Sequence, residues 1–548
     1  MLEKLIENWL DNASERSYQP VFVQMLSARG YRVVHSTRHT ALEFGRDVLA
    51  IAPDGKGCTY QLKGNPGGKK LNLNQFRNEV QPQLVQLMSQ AVDFPGFPSE
   101  PHNAYLVSNG YFEEEVQVAI GSLNRMPYYP SKVSLISRGD LLGRCKEFGA
   151  SLWPGELEDT RILLEIFLSD PKDVLPTEML SQLISKILAL QTPEDNLLGQ
   201  PGFQRAVTSA ALLTGIATSG FAEAENHFAV ASAWTLLAIS VIAAGEKHGH
   251  RLNGVAFETL WLAVASVGDA LAQLWNEVKD RKHIVEGNAI TDPEVYGWRY
   301  TTILGLLSCL ALLDESCHLL EDESREKLKQ WLLQRHEHVK LWGEGAVANL
   351  VPWLVWLRKN DPTQRPDWEI ANLTEAVIAL NQHKSISPLP GPYYSFEQIA
   401  RSQMRLDKAG EASAVGRETF AGSAFTAEPL FHLLVRTNLK QTCKNLWPNF
   451  TRLAHRVCLP DNAWEYCTLR IASGVDQTMI YPSTYQWAKL QAEALEPRGN
   501  SLPTELTARP WLLALWWQVA PYRYKTAASS VFVEGILPGW GAWGNLGA

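Results

Sequence analysis

The chain has 548 residues, with 50 Lys and Arg against 58 Asp and Glu, a net charge of −8 and 45% hydrophobic residues. That length predicts about three to five domains, or two followed by a long helical array. The composition excludes a disordered or collagen-like chain, and the charge excludes a uniformly basic nucleic-acid coat. The charge is also uneven. Residues 1–155 hold 16 Lys and Arg against 15 Asp and Glu, so the remainder carries −9, and it also holds most of the 19 Trp. Seven cysteines, at 58, 145, 309, 317, 443, 458 and 467, form no CxxC pair and no zinc-ligand spacing. Scattered thiols of this kind predict a reducing, cytoplasmic setting.

In chain order, apolar residues at 2, 5, 6, 9 and 10 predict an amphipathic first helix. Its charges stand where an export signal needs an apolar core, so no such signal is expected. A second helix is predicted over 13–29, ending at Gly30. Three short strands follow at Tyr31–Ser36, Asp47–Ala52 and Cys58–Lys63. The last two form a hairpin across the turn sequence Pro53-Asp54-Gly55-Lys56-Gly57. A Gly-rich basic loop over 64–70 leads to a helix over 72–92. Then come a strand at Ala104–Ser108, a helix over 113–122, a strand at Val133–Ser137 and a helix over 139–148. The order α-β-β-β-α-β-α-β-α predicts a small mixed sheet flanked by helices, an α+β fold followed by a large all-α region.

Composition changes at Trp153-Pro154-Gly155, which sets the first boundary at 1–155. Helical spacing is clear at Leu180, Leu183, Ile184, Ile187 and Leu188. Helical patterns continue over 204–222, 226–245, 255–280, 299–320, 323–340 and 344–358, giving a helical domain at 156–360. A Pro-rich break (361–395), a second helical block (396–534) and a Gly/Trp-rich tail (535–548) complete the chain. The tail reads either as a flexible end or as two Trp anchors for a partner. No clean helical repeat period is present. Phe228–Gly245 is uncharged over the minimum length of a membrane span, and Ala206–Ala222 is also uncharged. Dilution by Ser, Thr and Gly, with no flanking basic cluster, favours a buried helix pair over a membrane hairpin.

The chemistry concentrates in the hairpin. Gln61 and Lys63 lie two apart on a strand, hence on one face, and hairpin pairing brings that face beside Asp47. A carboxylate, an oxygen-bearing partner and a lysine in convergence suit metal-dependent phosphodiester hydrolysis. The carboxylate holds a hard cation, the cation activates water, and the lysine stabilises developing charge.

These residues resemble the PD-(D/E)XK nuclease superfamily, and most of all its Mrr-type restriction endonuclease branch. The acidic turn of that branch is matched by Glu43-Phe-Gly-Arg-Asp47 and its Gln-x-Lys strand by Gln61-Leu62-Lys63. Its later strand-helix pairs resemble Ala104–Phe112 with Glu113–Ala119, and Val133–Leu142. The resemblance spans about residues 15–150. It implies a restriction-endonuclease-like α/β/α fold and a DNA endonuclease dependent on Mg²⁺ or Mn²⁺. Asp47, Gln61 and Lys63 form the implied core, with Asp47, Gln61 and Leu62 as metal ligands. The departure is on the first helix of the motif, where Tyr18-Gln19 stands in place of an aromatic-Glu pair. Glu15, one turn earlier on the same helical face, is the candidate substitute, and Gln19 is a candidate neutral ligand or hydrogen-bonder. Fewer negative charges imply weaker metal affinity, with DNA phosphate completing the site.

Lys69, Lys70 and Arg77 are candidate grips on the phosphate backbone, or else a solvated loop. Gly68-Lys69-Lys70 lacks the Ser/Thr and spacing of a P-loop. The pairs His248-Gly-His250 and His336-Glu-His338 diverge on a helix, and Cys317-His318 lacks a third member, so none is expected to be a metal or nucleophile site. Trp342, Trp353, Trp356, Trp511, Trp516 and Trp517 are expected in the core. Mrr-like domains fused to large extra regions resemble effectors of bacterial anti-phage or restriction defence. The helical region is thus expected to sense a trigger or dock a protein partner, and double-strand cleavage favours a homo-oligomer. The rival expectations are a catalytically degenerate nucleic-acid-binding or interaction scaffold, and a membrane-anchored effector.

Overall fold

A computed structural model of the chain describes residues 2–36, 46–65, 69–98, 101–152, 157–191, 197–281, 293–334, 339–361, 363, 366–385, 388–403, 421–457, 460–469, 478–480, 486–495 and 502–538. It is a mixed α+β protein, mostly helical, and divides into two compact units, Met1–Val267 and Gly268–Ala548.

The first unit begins with α1 (Leu2–Asn12) and α2 (Glu15–Ala28). Ser14 caps α2, its hydroxyl accepting from the Ser17 N–H at 3.3 Å. The helix stops at Gly30, whose φ of +81° is the left-handed conformation that suits glycine. Strands β1 (Arg32–Ser36), β2 (Val48–Ile51) and β3 (Gly57–Lys63) run antiparallel. The β2–β3 turn closes as expected around Gly55, at φ +85°, with the Lys56 N–H on the Asp54 carboxylate.

A short β4 (Lys70–Leu71) follows. The helix expected over 72–92 is built in three pieces: α3 (Leu73–Gln75), a π segment (Phe76–Val80) and α4 (Gln81–Ser89). Next come β5 (Asn103–Ser108), β6 (Tyr111–Phe112), α5 (Glu114–Arg125), β7 (Val133–Ile136) and α6 (Arg138–Leu152). The sheet order is β1-β2-β3-β5-β7, with β3, β5 and β7 parallel. The two-residue strands β4 and β6 pair with each other, beyond the reach of a period-2 pattern.

Alternation along β3 sends Tyr60 and Leu62 to one face, where they share a core with Tyr18, Val21 and Phe22 of α2 and Leu141 of α6. On the other face Ala104, Leu106 and Val133 pack with Phe76, Leu84, Val116 and Ile120. The same compact unit continues past residue 155, through α7 (Leu157–Phe167), α8 (Thr177–Ile187), α9 (Gln200–Glu223) and α10 (His227–His248). Leu212 and Ile216 of α9 belong to the α2 core. The approach is close: a Cβ on Gly215 would stand 2.6 Å from Val21 Cγ2. Gln24 also exchanges hydrogen bonds with Thr259, on the helix Gly254–Val278, at 3.0 and 3.2 Å.

Three described helices are long and apolar enough to cross a membrane: His227–His248, Gly254–Val278 and Val295–Cys317. The first is also the most enclosed, with 89% of its apolar window buried inside the protein. His248 and His250 donate to different carbonyls, of Leu188 and Leu198. The pair His336-Glu-His338 lies outside the described residues.

The second unit is built from helices Pro293–Cys317, Asp322–Leu333, Ala346–Asn360, Pro366–Leu380, Ala427–Arg436, Lys440–Phe450, Trp511–Val519 and Thr526–Ile536, with shorter ones between. The tryptophans at 342, 353, 356, 511, 516 and 517 are all buried. The block from 396 differs from the all-helical expectation. It holds a small sheet, β10-β9-β8, made of Ser423–Ala424, Ala454–Val457 and Thr478–Ile480. These strands are two to four residues long, too short to impose a readable alternation.

Candidate active site

The C-terminal ends of β3 and β5, the start of β2 and the start of α2 meet in one place. Asp47 is main-chain paired to β3, its N–H donating to the Tyr60 carbonyl at 2.8 Å. That register sets its side chain beside Gln61. The Asp47 carboxylate accepts from Gln61 Nε2 at 2.7 Å and from the Leu62 N–H. Both Asp47 and Gln61 are buried. Gln61 Nε2 also reaches the Leu62 carbonyl at 3.3 Å, while Gln61 Oε1 is buried with no hydrogen-bond partner among the described residues. A buried amide oxygen left unpaired is costly in a folded protein. Gln83 Oε1, Asn349 Oδ1 and Gln518 Oε1 share that state, and what sets Gln61 apart is its place beside the Asp47 carboxylate.

Arg46, just before Asp47, is buried and donates to the carbonyls of Gln90 and Ala91. It thereby fastens the start of β2 to the end of α4.

Lys63 ends β3 and is half-buried. Its main chain is gripped by α2: the Lys63 N–H donates to the Tyr18 hydroxyl at 3.1 Å, and that hydroxyl donates to the Lys63 carbonyl at 3.2 Å. Burial holds the Tyr18 phenol well above its ordinary pKa, and the charges of Glu15 and Asp47 push it further the same way. Glu15 stands against the residue after Lys63: a Cβ on Gly64 would lie 2.8 Å from the Glu15 nitrogen. Gln19 is turned toward β1, donating to Ser36 Oγ at 2.9 Å.

Of the expected residues, the fold gathers Asp47, Gln61, Leu62 and Lys63, with Glu15 beside them. Gln19 sits one strand away. Lys69 and Lys70 are exposed on and before β4, and Arg77 is exposed in the π segment. Glu43 lies outside the described residues.

Residues that the pattern did not single out complete the frame. Asn109 donates to the Leu10 and Ala13 carbonyls at 2.8 and 2.7 Å, closing the end of α1, and accepts from the Asn65 N–H at 2.7 Å. Asn65 in turn donates to Ser108 Oγ at 3.0 Å. Gly110 admits this knot, because a Cβ there would meet the Lys69 carbonyl at 2.2 Å. The signal was present in Ser108-Asn109-Gly110 directly after a strand, a turn triplet whose side chains bond to nearby main chain. Glu223, at the end of α9, accepts from the Ser14 N–H at 3.0 Å, one residue before Glu15.

The donor set suits a hard divalent cation such as Mg²⁺ or Mn²⁺, which takes oxygen ligands. Asp47, the unpartnered Gln61 Oε1 and the Leu62 carbonyl are the residues that could hold it. Among the described residues there is no group of three or more His, Cys, Asp and Glu, so any such cation would rest on few protein charges. No protein-family model, curated protein or solved structure matches the chain.

Proposed function

We propose that this site hydrolyses DNA phosphodiester bonds as a metal-dependent endonuclease of the PD-(D/E)XK, Mrr-like type, on a restriction-endonuclease-like α/β/α framework. The observation that carries the reading is Gln61 Oε1, a buried oxygen without a partner among the described residues, beside the Asp47 carboxylate and two residues from Lys63. Bound Mg²⁺ or Mn²⁺ supplies polarisation of the phosphate and a water of lowered pKa. Asp47, Gln61 Oε1 and the Leu62 carbonyl are the residues that would hold it. Lys63 sets its ammonium against the charge that grows on the phosphate. The Tyr18 hydroxyl fixes the main chain of Lys63, and hence the origin of that side chain. Glu15 adds a second carboxylate at the strand end.

The role we assign is that of an effector in bacterial anti-phage or restriction defence, with the helices as the module that senses a trigger or docks a partner. Support comes from α9 and the helix Gly254–Val278, which rest directly on α2 through Gly215, Glu223 and Thr259. One site per chain cuts one strand, so double-strand cleavage calls for two copies.

The test is incubation of the full-length protein with plasmid, linear and single-stranded DNA, with and without Mg²⁺. Wild type is expected to cut only with the metal, and Lys63→Ala to lose about 100-fold or more in rate, the scale of one lost electrostatic contact. Wild type that cuts nothing in Mg²⁺ or Mn²⁺ sinks the reading. It would favour a nucleic-acid-binding scaffold instead, which the internal pairing of Asp47 with Gln61 and Leu62 also fits.

A further inference from the structure

The ladder β4–β6 lies just past the ends of β3 and β5 that carry Lys63 and Ser108. Its register sets Lys70 beside Tyr111 and Leu71 beside Phe112. Residues paired across a ladder share a face. Leu71 and Phe112 point inward and are buried, so Lys70 and Tyr111 point outward, and Tyr111 is 42% exposed. The Tyr111 N–H donates to the Lys69 carbonyl at 3.2 Å, and the Arg138 N–H to the Gly110 carbonyl at 3.0 Å. The start of α6 is thereby tied to the same corner.

Arg138 then braces the ring. Its guanidinium is held on both oxygens of Asp11 and donates through Nη1 to the Tyr111 hydroxyl at 3.3 Å. The guanidinium carbon stands 5.9 Å from the ring centroid. An exposed aromatic ring is therefore fixed in position, with exposed Lys69 and Lys70 alongside. The Asn65–Asn109 hydrogen bond joins this corner to the chain leaving Lys63.

We propose that Tyr111, flanked by Lys69, Lys70 and Arg138, is a stacking platform for an unpaired base of a nucleic-acid strand running toward Lys63. The proposal rests on the phosphodiesterase reading above and narrows its substrate to DNA with bases outside duplex pairing. Every base has a π face, and a preformed ring accepts one at little entropic cost, while the lysines follow the backbone phosphates. A fully paired duplex hides its base faces in the stack and offers this ring nothing.

The test is binding by the full-length protein in EDTA, where hydrolysis is off. Fluorescence anisotropy follows a labelled single strand of about 20 nucleotides, longer than the roughly 4–16 that one single-strand site takes, and the duplex of the same sequence. Tyr111→Leu is expected to weaken single-strand binding roughly 5- to 100-fold and to leave duplex binding unchanged. Tyr111→Phe keeps the ring, loses only the hydroxyl to Arg138, and is expected to bind like wild type. Lys70→Ala is expected to lower the salt slope of single-strand binding by about 0.7.

Unchanged single-strand binding by Tyr111→Leu overturns the proposal, as does an equal loss on duplex. Equal losses in the Leu and Phe variants also overturn it, since the hydroxyl brace would then be the whole role. Wild type that binds through Tyr111 but cuts no substrate in Mg²⁺ defeats the hydrolytic reading and leaves the platform standing. Wild type that cuts, with Tyr111→Leu unaffected on single strands, does the reverse.

Discussion

Two of the buried carboxylates, one from each compact unit, are partnered differently. Glu344, in the second unit, has both oxygens engaged. Oε2 accepts from the Phe425 N–H, the Thr426 N–H and the Thr426 hydroxyl at 2.8, 2.7 and 2.8 Å, and Oε1 accepts from Asn381 at 3.1 Å. Asp47, in the first unit, is also buried, but the amide it pairs with retains an oxygen that no described residue meets. Burial of a charge therefore does not mark a functional site. A balanced set of donors around a carboxylate is a brace, and a leftover acceptor at a strand end is an opening.

The sharpest way to break this contrast is to remove the brace. Glu344→Ala strands the donors of Phe425, Thr426 and Asn381, which predicts a loss of about 4 kcal/mol. Denaturant unfolding followed by the tryptophan fluorescence of the second unit measures it. The loss also carries a pH signature. Burial pushes the Glu344 carboxyl up to about 7, against hydrogen bonds from Thr426, Phe425 and Asn381 that act the other way. With the folded value above the ordinary 4.5, the fold favours the protonated form. Its contribution is fully present below about pH 4.5 and is lost as pH rises through about 7. The cost of Glu344→Ala is therefore expected to be largest near pH 5 and to shrink toward pH 8. A cost independent of pH would show that Glu344 does not titrate with folding. Half-buried His432 and buried His455, both pushed down to about 4, slope the opposite way in wild type and variant alike, so they cancel in the difference.

How much of this was readable in advance follows from the range of the interactions. The hairpin, the strand at 104–108 and the helices of the first unit announce themselves because alternation, turn residues and caps act over a few neighbours. Asp47 beside Gln61 follows from hairpin register alone. The orphaned Oε1 does not, because which atom of an amide is left over depends on the whole surround. The grip of Tyr18 on Lys63 bridges 45 positions in sequence, and that of Asn109 on α1 bridges 96 and 99. No local pattern encodes such distances. The uncharged stretch at 206–222 is expected as half of a buried helix pair, but its small residues read for polarity rather than size do not say what it packs against. Gly215 among them is the mark of a close helix approach.

That approach gives the next prediction, which sharpens the comparison from the open side. Gly215→Val places a methine 2.6 Å from Val21 Cγ2, inside a packed core. Overpacking of this kind costs about 1–3 kcal/mol and forces α2 and α9 apart. Since α2 carries Tyr18 and Glu15, cleavage is expected to fall with stability. Gly220 is the control on the same helix, exposed and with nothing nearer than Pro171 Cβ at 3.9 Å. Gly220→Ala is expected to add about 1 kcal/mol through helix propensity and to leave cleavage alone. Equal cleavage in the two variants would uncouple α9 from the site.

The smallest expected change is the most local. Tyr18→Phe keeps the ring against the α2 core and deletes one oxygen. The Lys63 N–H then loses its acceptor and the Lys63 carbonyl its donor, a cost of about 1 kcal/mol on thermal or chemical unfolding. If the hydroxyl merely fills space between helix and strand, cleavage should follow that loss of stability and recover at lower temperature. If it positions Lys63, the maximal rate should fall while the substrate concentration for half-maximal rate stays unchanged, because the ammonium then meets the developing charge from a displaced origin. The phenol also stands within reach of the Glu15 and Asp47 charges, which act on it. A changed pH profile of cleavage in Tyr18→Phe, at unchanged folding, would place that hydroxyl with the open carboxylate rather than with the brace.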